Sequence, residues 1–177
     1  MPYNPKTHHR RSIRLKHYDY SLAGLYFITI CAQNRACLFA NIKNDHLFLN
    51  AAGLMLEQQW KDLALRFNNI VLHQFVVMPN HFHGIIEITS KESGQPLGIG
   101  PTGKSYTIGE MVGAFKSLST FAYMQSVKND NWPAFDKKLW QANFYEHIIR
   151  DESCYLKIVE YIETNPLKWR DDSYYIP

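Results

Sequence analysis

Runs of β-branched and aromatic residues predict the strands of this chain. One such run covers 25–32, and a second covers 70–89. Pro79 and Asn80 interrupt the second run, and both residue types suit a tight turn, so 70–89 is predicted to be a hairpin. A further strand or two are expected within 139–149.

Apolar residues three and four positions apart predict three helices, at 51–67, 107–128 and 152–164. Asn50 is a candidate N-cap of the first helix, and Pro166 is expected to end the third by pushing its predecessor out of helical geometry. The first helix is predicted to bury Leu54, Leu56, Trp60, Leu63 and Phe67. The second is predicted to bury Met111, Phe115, Leu118, Phe121 or Ala122, and Met124.

The order of elements defines the expected fold class. Strand, helix, hairpin, helix, strand and helix follow one another, with a shorter extended segment at 36–40 and a polar connection from 41 to 50. This order predicts an α+β fold with an antiparallel sheet and helices on one face, of the ferredoxin-like or RNA-recognition-motif-like kind.

Length and charge distribution predict one domain with a basic extension. The chain has 177 residues, 46% of them hydrophobic, which suffices for a single core. We expect a catalytic or binding domain at 18–177 with a mobile loop near 90–106, rich in Gly, Ser, Pro and Lys. Residues 1–17 contain five lysines and arginines and no acidic residue, so they are predicted to form a basic arm.

Composition also bears on the cellular compartment. No apolar run approaches the length that spans a bilayer, and the basic N-terminus lacks the apolar stretch of a secretion signal. Cys31, Cys37 and Cys154 form no CxxC pair, and their number is odd, as expected of free thiols in a reducing compartment. A cytoplasmic protein with no membrane contact is therefore expected.

His81 and His83 are candidate metal ligands. They begin the second strand of the predicted hairpin, and alternate residues of a strand point to the same face. Imidazole is a common ligand of divalent transition metals, so the pair forms half of a metal site. The alternative is that each histidine is a core side chain whose hydrogen bonds are satisfied.

Tyr161 and Asn165 supply a second pair of functional groups. Their i, i+4 spacing places the phenol and the amide on one face of the third helix, one turn apart. An amide oxygen could complete a two-histidine metal site, and a tyrosine beside a metal-bound phosphate could act as a nucleophile. Alternatively, Tyr161 is an amphipathic surface residue and Asn165 only ends the helix before Pro166.

Motifs at 18–29, 77–85, 113–117, 139–146 and 161–166 occur together in an order that resembles a known family. The chain is similar to the single-tyrosine HUH transposases, and within them to the REP-associated tyrosine transposases related to the IS200/IS605 insertion-sequence enzymes. The insertion-sequence members usually have Gln at the position of Asn165, which favours the REP-associated branch. The likeness extends over roughly 14–170.

The resemblance implies a mechanism and a substrate. His81, His83 and Asn165 match the family's metal ligands for Mg²⁺ or Mn²⁺, and Tyr161 matches its nucleophile. By this resemblance Tyr161 attacks a phosphodiester of single-stranded DNA, forms a 5′-phosphotyrosine and frees a 3′-hydroxyl. The partners implied are single-stranded DNA hairpins formed by imperfect palindromic repeats, bound by a monomer or a homodimer. The residues predicted to contact this DNA are Arg10, Arg11, Arg14, Lys16 and Lys116.

Two other functions fit the same sequence. The chain could be a module of the same fold that binds structured nucleic acid without cutting it. It could also be a metal phosphoesterase in which the histidine pair activates water, so that Tyr161 plays no part. The exposed face of the 107–128 helix, with Lys116, Ser117, Ser119, Thr120 and Tyr123, could contact phosphates but is equally typical of a solvated surface.

Overall fold

A four-stranded antiparallel sheet forms the centre of the computed structural model, which describes residues 18–90 and 106–176. Its strands are β1 (Gly24–Cys31), β4 (Ile70–Val77), β5 (His81–Ile88) and β6 (Tyr145–Ile149), in the spatial order β4-β5-β1-β6. This is the strand order of a ferredoxin-like sheet, so the predicted α+β class is confirmed. The predicted arm at 1–17 and most of the predicted 90–106 loop lie outside the described residues.

Within the described residues, four α-helices accompany the sheet: α1 (Ala51–Lys61), α2 (Leu63–Arg66), α3 (Ile108–Asn129) and α4 (Glu152–Thr164). The α4 bounds are those predicted, and Asn50 caps α1 by accepting a hydrogen bond from the Gly53 N–H. The predicted 51–67 helix is divided at Asp62, and Leu54, which was expected to be buried, is 56% exposed. Leu54 is two positions from Leu56, more than half a helical turn, so it points away from the face that buries Leu56 and Trp60.

The buried face of α3 differs from the predicted one. Phe121 and Met124 are exposed, whereas Ser119 and Tyr123 are fully buried. The Ser119 hydroxyl donates to the Phe115 carbonyl and accepts the Trp140 indole N–H, and the Tyr123 hydroxyl donates to the Pro133 carbonyl. Met111 and Phe115 are buried as predicted. Polar groups with such partners can be buried at little cost, so apolar spacing alone gave the wrong face only in the second half of the helix.

Two short strands, β2 (Ala40–Lys43) and β3 (His46–Leu49), were not predicted. They form a separate hairpin within what was expected to be a polar connection. Asn44 and Asp45 both adopt positive φ at its turn, as residues of this type do in two-residue hairpin loops. The Asn-Asp pair was the available signal for this hairpin.

The helices lie on both faces of the sheet rather than on one. Residues of α1 and α3 pack with Tyr26, Ile28 and Phe82 on one face. Ile162 of α4 packs with Phe27 and Ile85 on the other. The first face carries most of the core. The side chains of His81 and His83 lie on the second face, because alternate residues of β5 point to the same side and Ile85 is on that side.

The end of α4 has one further departure from expectation. The helix ends before Pro166 as predicted, but Asn165 itself keeps helical angles, with φ −56° and ψ −42°. Proline disfavours this conformation in its predecessor without forbidding it. All three cysteines are free, and no helix among residues 18–90 and 106–176 is long and apolar enough to cross a membrane.

Candidate active site

The start of β5 presents two buried histidines to one side of the sheet. His81 and His83 are 0% and 1% exposed, and β1 pairs Cys31 with the first and Thr29 with the second. The tight turn at Met78–Asn80 sets where β5 begins: the Met78 N–H donates to the His81 carbonyl at 2.8 Å. The strand, rather than a loop, therefore fixes the spacing of the two imidazoles.

His83 connects the sheet to α4. Its Nδ1 lies 2.8 Å from the Thr29 hydroxyl, and its Nε2 lies 3.3 Å from the Tyr161 hydroxyl. The Phe27 ring stacks on the imidazole with ring centroids 5.3 Å apart. The predicted nucleophile and the predicted ligand are thus in direct contact.

Tyr155, a second tyrosine of α4, has a different neighbourhood. Its hydroxyl lies 3.2 Å from Nδ1 of His73, and Nε2 of His73 lies 2.8 Å from a Glu87 carboxylate oxygen. These contacts hold the first half of α4 against β4 and β5. Of these two α4 tyrosines, Tyr161 is the one in hydrogen-bond contact with the histidine pair.

Asn165 and Asp172 complete the group around the histidines. The Asn165 amide nitrogen donates to Oδ2 of Asp172 at 2.8 Å, and the other carboxylate oxygen accepts the Tyr174 N–H at 2.6 Å. A carboxylate only accepts, so it determines that the amide nitrogen faces Asp172. The Asn165 oxygen is left buried without a hydrogen-bond partner.

The donor set fits a metal ion. One ligand atom each from His81, His83 and Asp172 can be chosen so that all three lie within 4.8 Å of one another. His81 Nε2 is buried, has no hydrogen-bond partner and lies 3.9 Å from Oδ2 of Asp172. Unpartnered buried nitrogen and oxygen atoms that converge on one place are costly unless something binds them. This group could therefore hold a metal ion.

The protonation states also favour metal binding. Burial lowers the pKa of His81 to about 4, against the opposing influence of Asp172 and Asn165, and burial lowers the pKa of His83 well below its ordinary value. Both imidazoles are therefore neutral near pH 7, as a ligand must be. Burial, with Asp172 and Tyr174 adding to it, raises the pKa of Tyr161 to about 12, so this phenol keeps its proton unless a positive charge is near.

The C-terminal segment, here residues 169–175, covers the histidines. The Tyr174 ring lies 4.7 Å from the His81 ring and 6.2 Å from the His83 ring, and Trp169 lies 6.0 Å from His81. The Arg35 guanidinium lies over Tyr174. Asp172 belongs to the same segment, and sequence reasoning missed it because it lies beyond the motif that ends at Pro166.

The predicted DNA-contacting residues divide into two groups. Lys116 is half-buried, and its ammonium donates to the carbonyls of Gln141, Ala142 and Asn143 at 2.5, 3.2 and 3.4 Å. It thereby ties α3 to the segment that enters β6, while its role toward DNA stays a prediction. The arginines and lysine of the arm lie outside the described residues: Arg10, Arg11, Arg14 and Lys16.

Comparisons with known proteins place this geometry in context. No protein-family model matches the chain. An uncharacterized protein of Haemophilus influenzae is 46% identical over 182 residues, covering 98% of this chain and 97% of the relative. At that identity and coverage the two proteins are members of one family.

Two solved structures share the fold. The structure of a REP-associated tyrosine transposase bound to a REP hairpin matches with a TM-score of 0.59 and 23% identity, covering 89% of this chain and 74% of the other. A candidate transposase of Deinococcus radiodurans matches with a TM-score of 0.50 and 18% identity, covering 86% and 96%. Both likenesses concern the fold.

Proposed function

Since this chain belongs to the family of the Haemophilus influenzae protein and has the fold of a REP-associated tyrosine transposase, we propose that it is a single-stranded DNA endonuclease and strand transferase. The observation that carries the proposal is the 3.3 Å contact between the Tyr161 hydroxyl and His83 Nε2, inside a group that could hold a metal ion. Phosphodiester transfer by this route requires a nucleophile that lies close to a bound cation.

The proposed metal site offers two nitrogen donors and one or two oxygen donors. The imidazole Nε2 atoms of His81 and His83 would bind the ion together with an oxygen of Asn165, of Asp172, or of both. Amide and carboxylate oxygens suit Mg²⁺ and Mn²⁺, and the imidazoles favour Mn²⁺ of these two. When bound, the ion supplies positive charge that stabilises the phenolate and the oxygen leaving phosphorus.

Tyr161 carries out the transfer. Its phenolic oxygen forms a bond to the scissile phosphorus as the bond from phosphorus to the 3′-oxygen breaks. The proton lost by the phenol is balanced by the proton gained by the departing 3′-oxygen. The products are a 5′-phosphotyrosine on the downstream fragment and a free 3′-hydroxyl on the upstream one. Because the phosphodiester is exchanged for another ester, a second 3′-hydroxyl can reverse the step and rejoin DNA without ATP.

We take hairpin-forming single-stranded DNA as the substrate class. The solved structural neighbour was bound to a REP hairpin. The basic arm at 1–17 would add non-specific attraction to the phosphates of such a hairpin. The Tyr161 hydroxyl lies 3.3 Å from His83 Nε2 of the same chain, so we propose that a monomer completes its own site.

The test uses hairpin oligonucleotides from repeats flanking the protein's own gene, incubated with Mn²⁺ and separated on a denaturing protein gel. A 3′ label should migrate at protein mass, because the downstream fragment stays on Tyr161, whereas a 5′ label should appear on free, shortened DNA. Tyr161→Phe should abolish the adduct while leaving hairpin binding. Tyr155→Phe is the matched control, since it removes a hydroxyl from the same helix that contacts His73 instead, and it should keep the adduct.

Three outcomes would contradict the proposal. Cleaved DNA with no protein adduct would indicate hydrolysis by activated water. Hairpin binding with no cleavage would indicate a binding module. A 5′ label that remains on the protein would indicate the opposite polarity of attack.

A further inference from the structure

Asn80, the residue before the first histidine, is completely buried although it lies in a turn. Its amide nitrogen donates to the carbonyls of Arg35 at 3.1 Å and of Tyr174 at 2.9 Å. Its side-chain oxygen lies 2.9 Å from Nδ1 of His81. Both amide hydrogens are therefore used by carbonyl oxygens that can only accept, and the orientation of the amide is fixed.

This fixed orientation determines where His81 carries its hydrogen. An amide oxygen only accepts, so the His81 nitrogen facing it must be the N–H, and this nitrogen is Nδ1. In a neutral imidazole the other nitrogen then has a free lone pair. That nitrogen, Nε2, is the buried atom without a partner that points toward Asp172.

His83 lacks an equivalent constraint. Its Nδ1 contacts the Thr29 hydroxyl, which can rotate to donate or to accept. Its Nε2 contacts the Tyr161 hydroxyl, which can also do either. Neither neighbour of His83 imposes a tautomer, whereas the neighbour of His81 does.

We infer that Asn80 is a positioning residue that holds His81 in the Nδ1–H tautomer, with Nε2 ready to bind a metal ion before the ion arrives. The inference rests on the proposed function in that it takes His81 to be a ligand. Partners of this kind orient metal-binding histidines in other proteins, and their loss typically weakens metal binding roughly 10- to 100-fold. Asn80 also ties the turn after β1 and the C-terminal segment to the same histidine through the Arg35 and Tyr174 carbonyls.

The first measurement is the tautomer of His81 in the metal-free protein, by long-range ¹H–¹⁵N correlation of ¹⁵N-histidine-labelled protein near pH 7.5. The His81 signals are assigned by their loss in His81→Gln. The wild type should show hydrogen on Nδ1 of His81. Asn80→Ala should show a mixture of tautomers. Asn80→Asp loses both donations to the Arg35 and Tyr174 carbonyls but keeps an oxygen facing Nδ1, so it should retain the wild-type tautomer.

The second measurement is calorimetric titration of the same proteins with Mn²⁺ alone. Asn80→Ala should bind roughly 10- to 100-fold more weakly than the wild type, and Asn80→Asp should recover most of that loss. Urea unfolding of each metal-free variant shows whether it is folded. If neither variant folds, the wild-type tautomer still decides.

Distinct results would overturn the inference. A wild-type His81 with hydrogen on Nε2 would refute it directly. Unchanged Mn²⁺ affinity in Asn80→Ala would also refute it. So would an equal loss of Mn²⁺ affinity in both variants while the tautomer of His81 is preserved, because the loss would then come from the Arg35 and Tyr174 contacts. Failure of the proposed function is separate: the wild type would then form no DNA adduct, whatever the tautomer of His81.

Discussion

Gly84 directly follows the second histidine, and we predict that a single methyl group there destabilises the protein. A Cβ at Gly84 would lie 2.6 Å from Cζ2 and 3.0 Å from Cη2 of Trp60, and 2.9 Å from Cε1 of Phe82. Ordinary contacts of a Cβ begin at 3.4 Å. The Trp60 ring would have to withdraw by several tenths of an ångström.

The surroundings of Trp60 leave it little room to withdraw. The indole is fully buried, with ring centroids 4.7 Å from Phe82 and 5.6 Å from Phe115. Overpacking a core by one methyl group costs about 1–3 kcal/mol, and the rigid aromatic neighbours place this case near the upper end. Replacing a strand glycine gains about 0.5–1 kcal/mol from the unfolded chain. The expected net loss for Gly84→Ala is about 2 kcal/mol.

Urea unfolding followed by far-ultraviolet circular dichroism measures this loss. Gly113→Ala is the control, because no atom lies within 4 Å of a Cβ built there and the residue is on an exposed part of α3; it should stabilise the protein by about 1 kcal/mol. A loss of about 2 kcal/mol in Gly84→Ala should appear as a fall in melting temperature of about 4–8 °C.

A double-mutant cycle tests the assigned cause. Trp60→Phe deletes the Cζ2 and Cη2 atoms that the new methyl group would meet, so Gly84→Ala should cost less in that background. An alanine variant as stable as the wild type would refute the steric argument. An equal cost with and without the indole would show that the clash with Trp60 is not its origin.

Two further predictions concern side chains around the site. Asp172→Ala should weaken Mn²⁺ binding roughly 10- to 100-fold in a calorimetric titration, because it removes a candidate ligand and the acceptor that orients Asn165. Asp171→Ala, the exposed neighbour, should bind Mn²⁺ normally, and equal affinity in both variants would exclude Asp172 from the metal site. Lys116→Met should lower the free energy of unfolding in urea by roughly 1.5 kcal/mol, since the ammonium loses its bonds to the 141–143 carbonyls. Unchanged stability, together with weaker hairpin binding and a shallower salt dependence, would instead assign Lys116 to a DNA phosphate.

The sequence by itself determined the local elements and the faces of the candidate functional pairs. The hairpin at 70–89, the bounds of α4 and the Asn50 cap were all predicted, because each depends on residues within a few positions of one another. The common face of His81 and His83 follows from the period of a strand in the same way. The fold class followed from the order of these elements.

Only the tertiary structure decided which side chains meet the histidines. Asp172 lies seven positions beyond Asn165 in the C-terminal segment, and Thr29 comes from β1, so no spacing along the chain connects either of them with His83. The buried face of α3 was likewise decided by partners elsewhere, since Ser119 is buried because Trp140 donates to it. Local periodicity specifies the direction in which a side chain points. The partners that satisfy a buried polar atom come from distant segments, and those partners fixed the chemistry of this site.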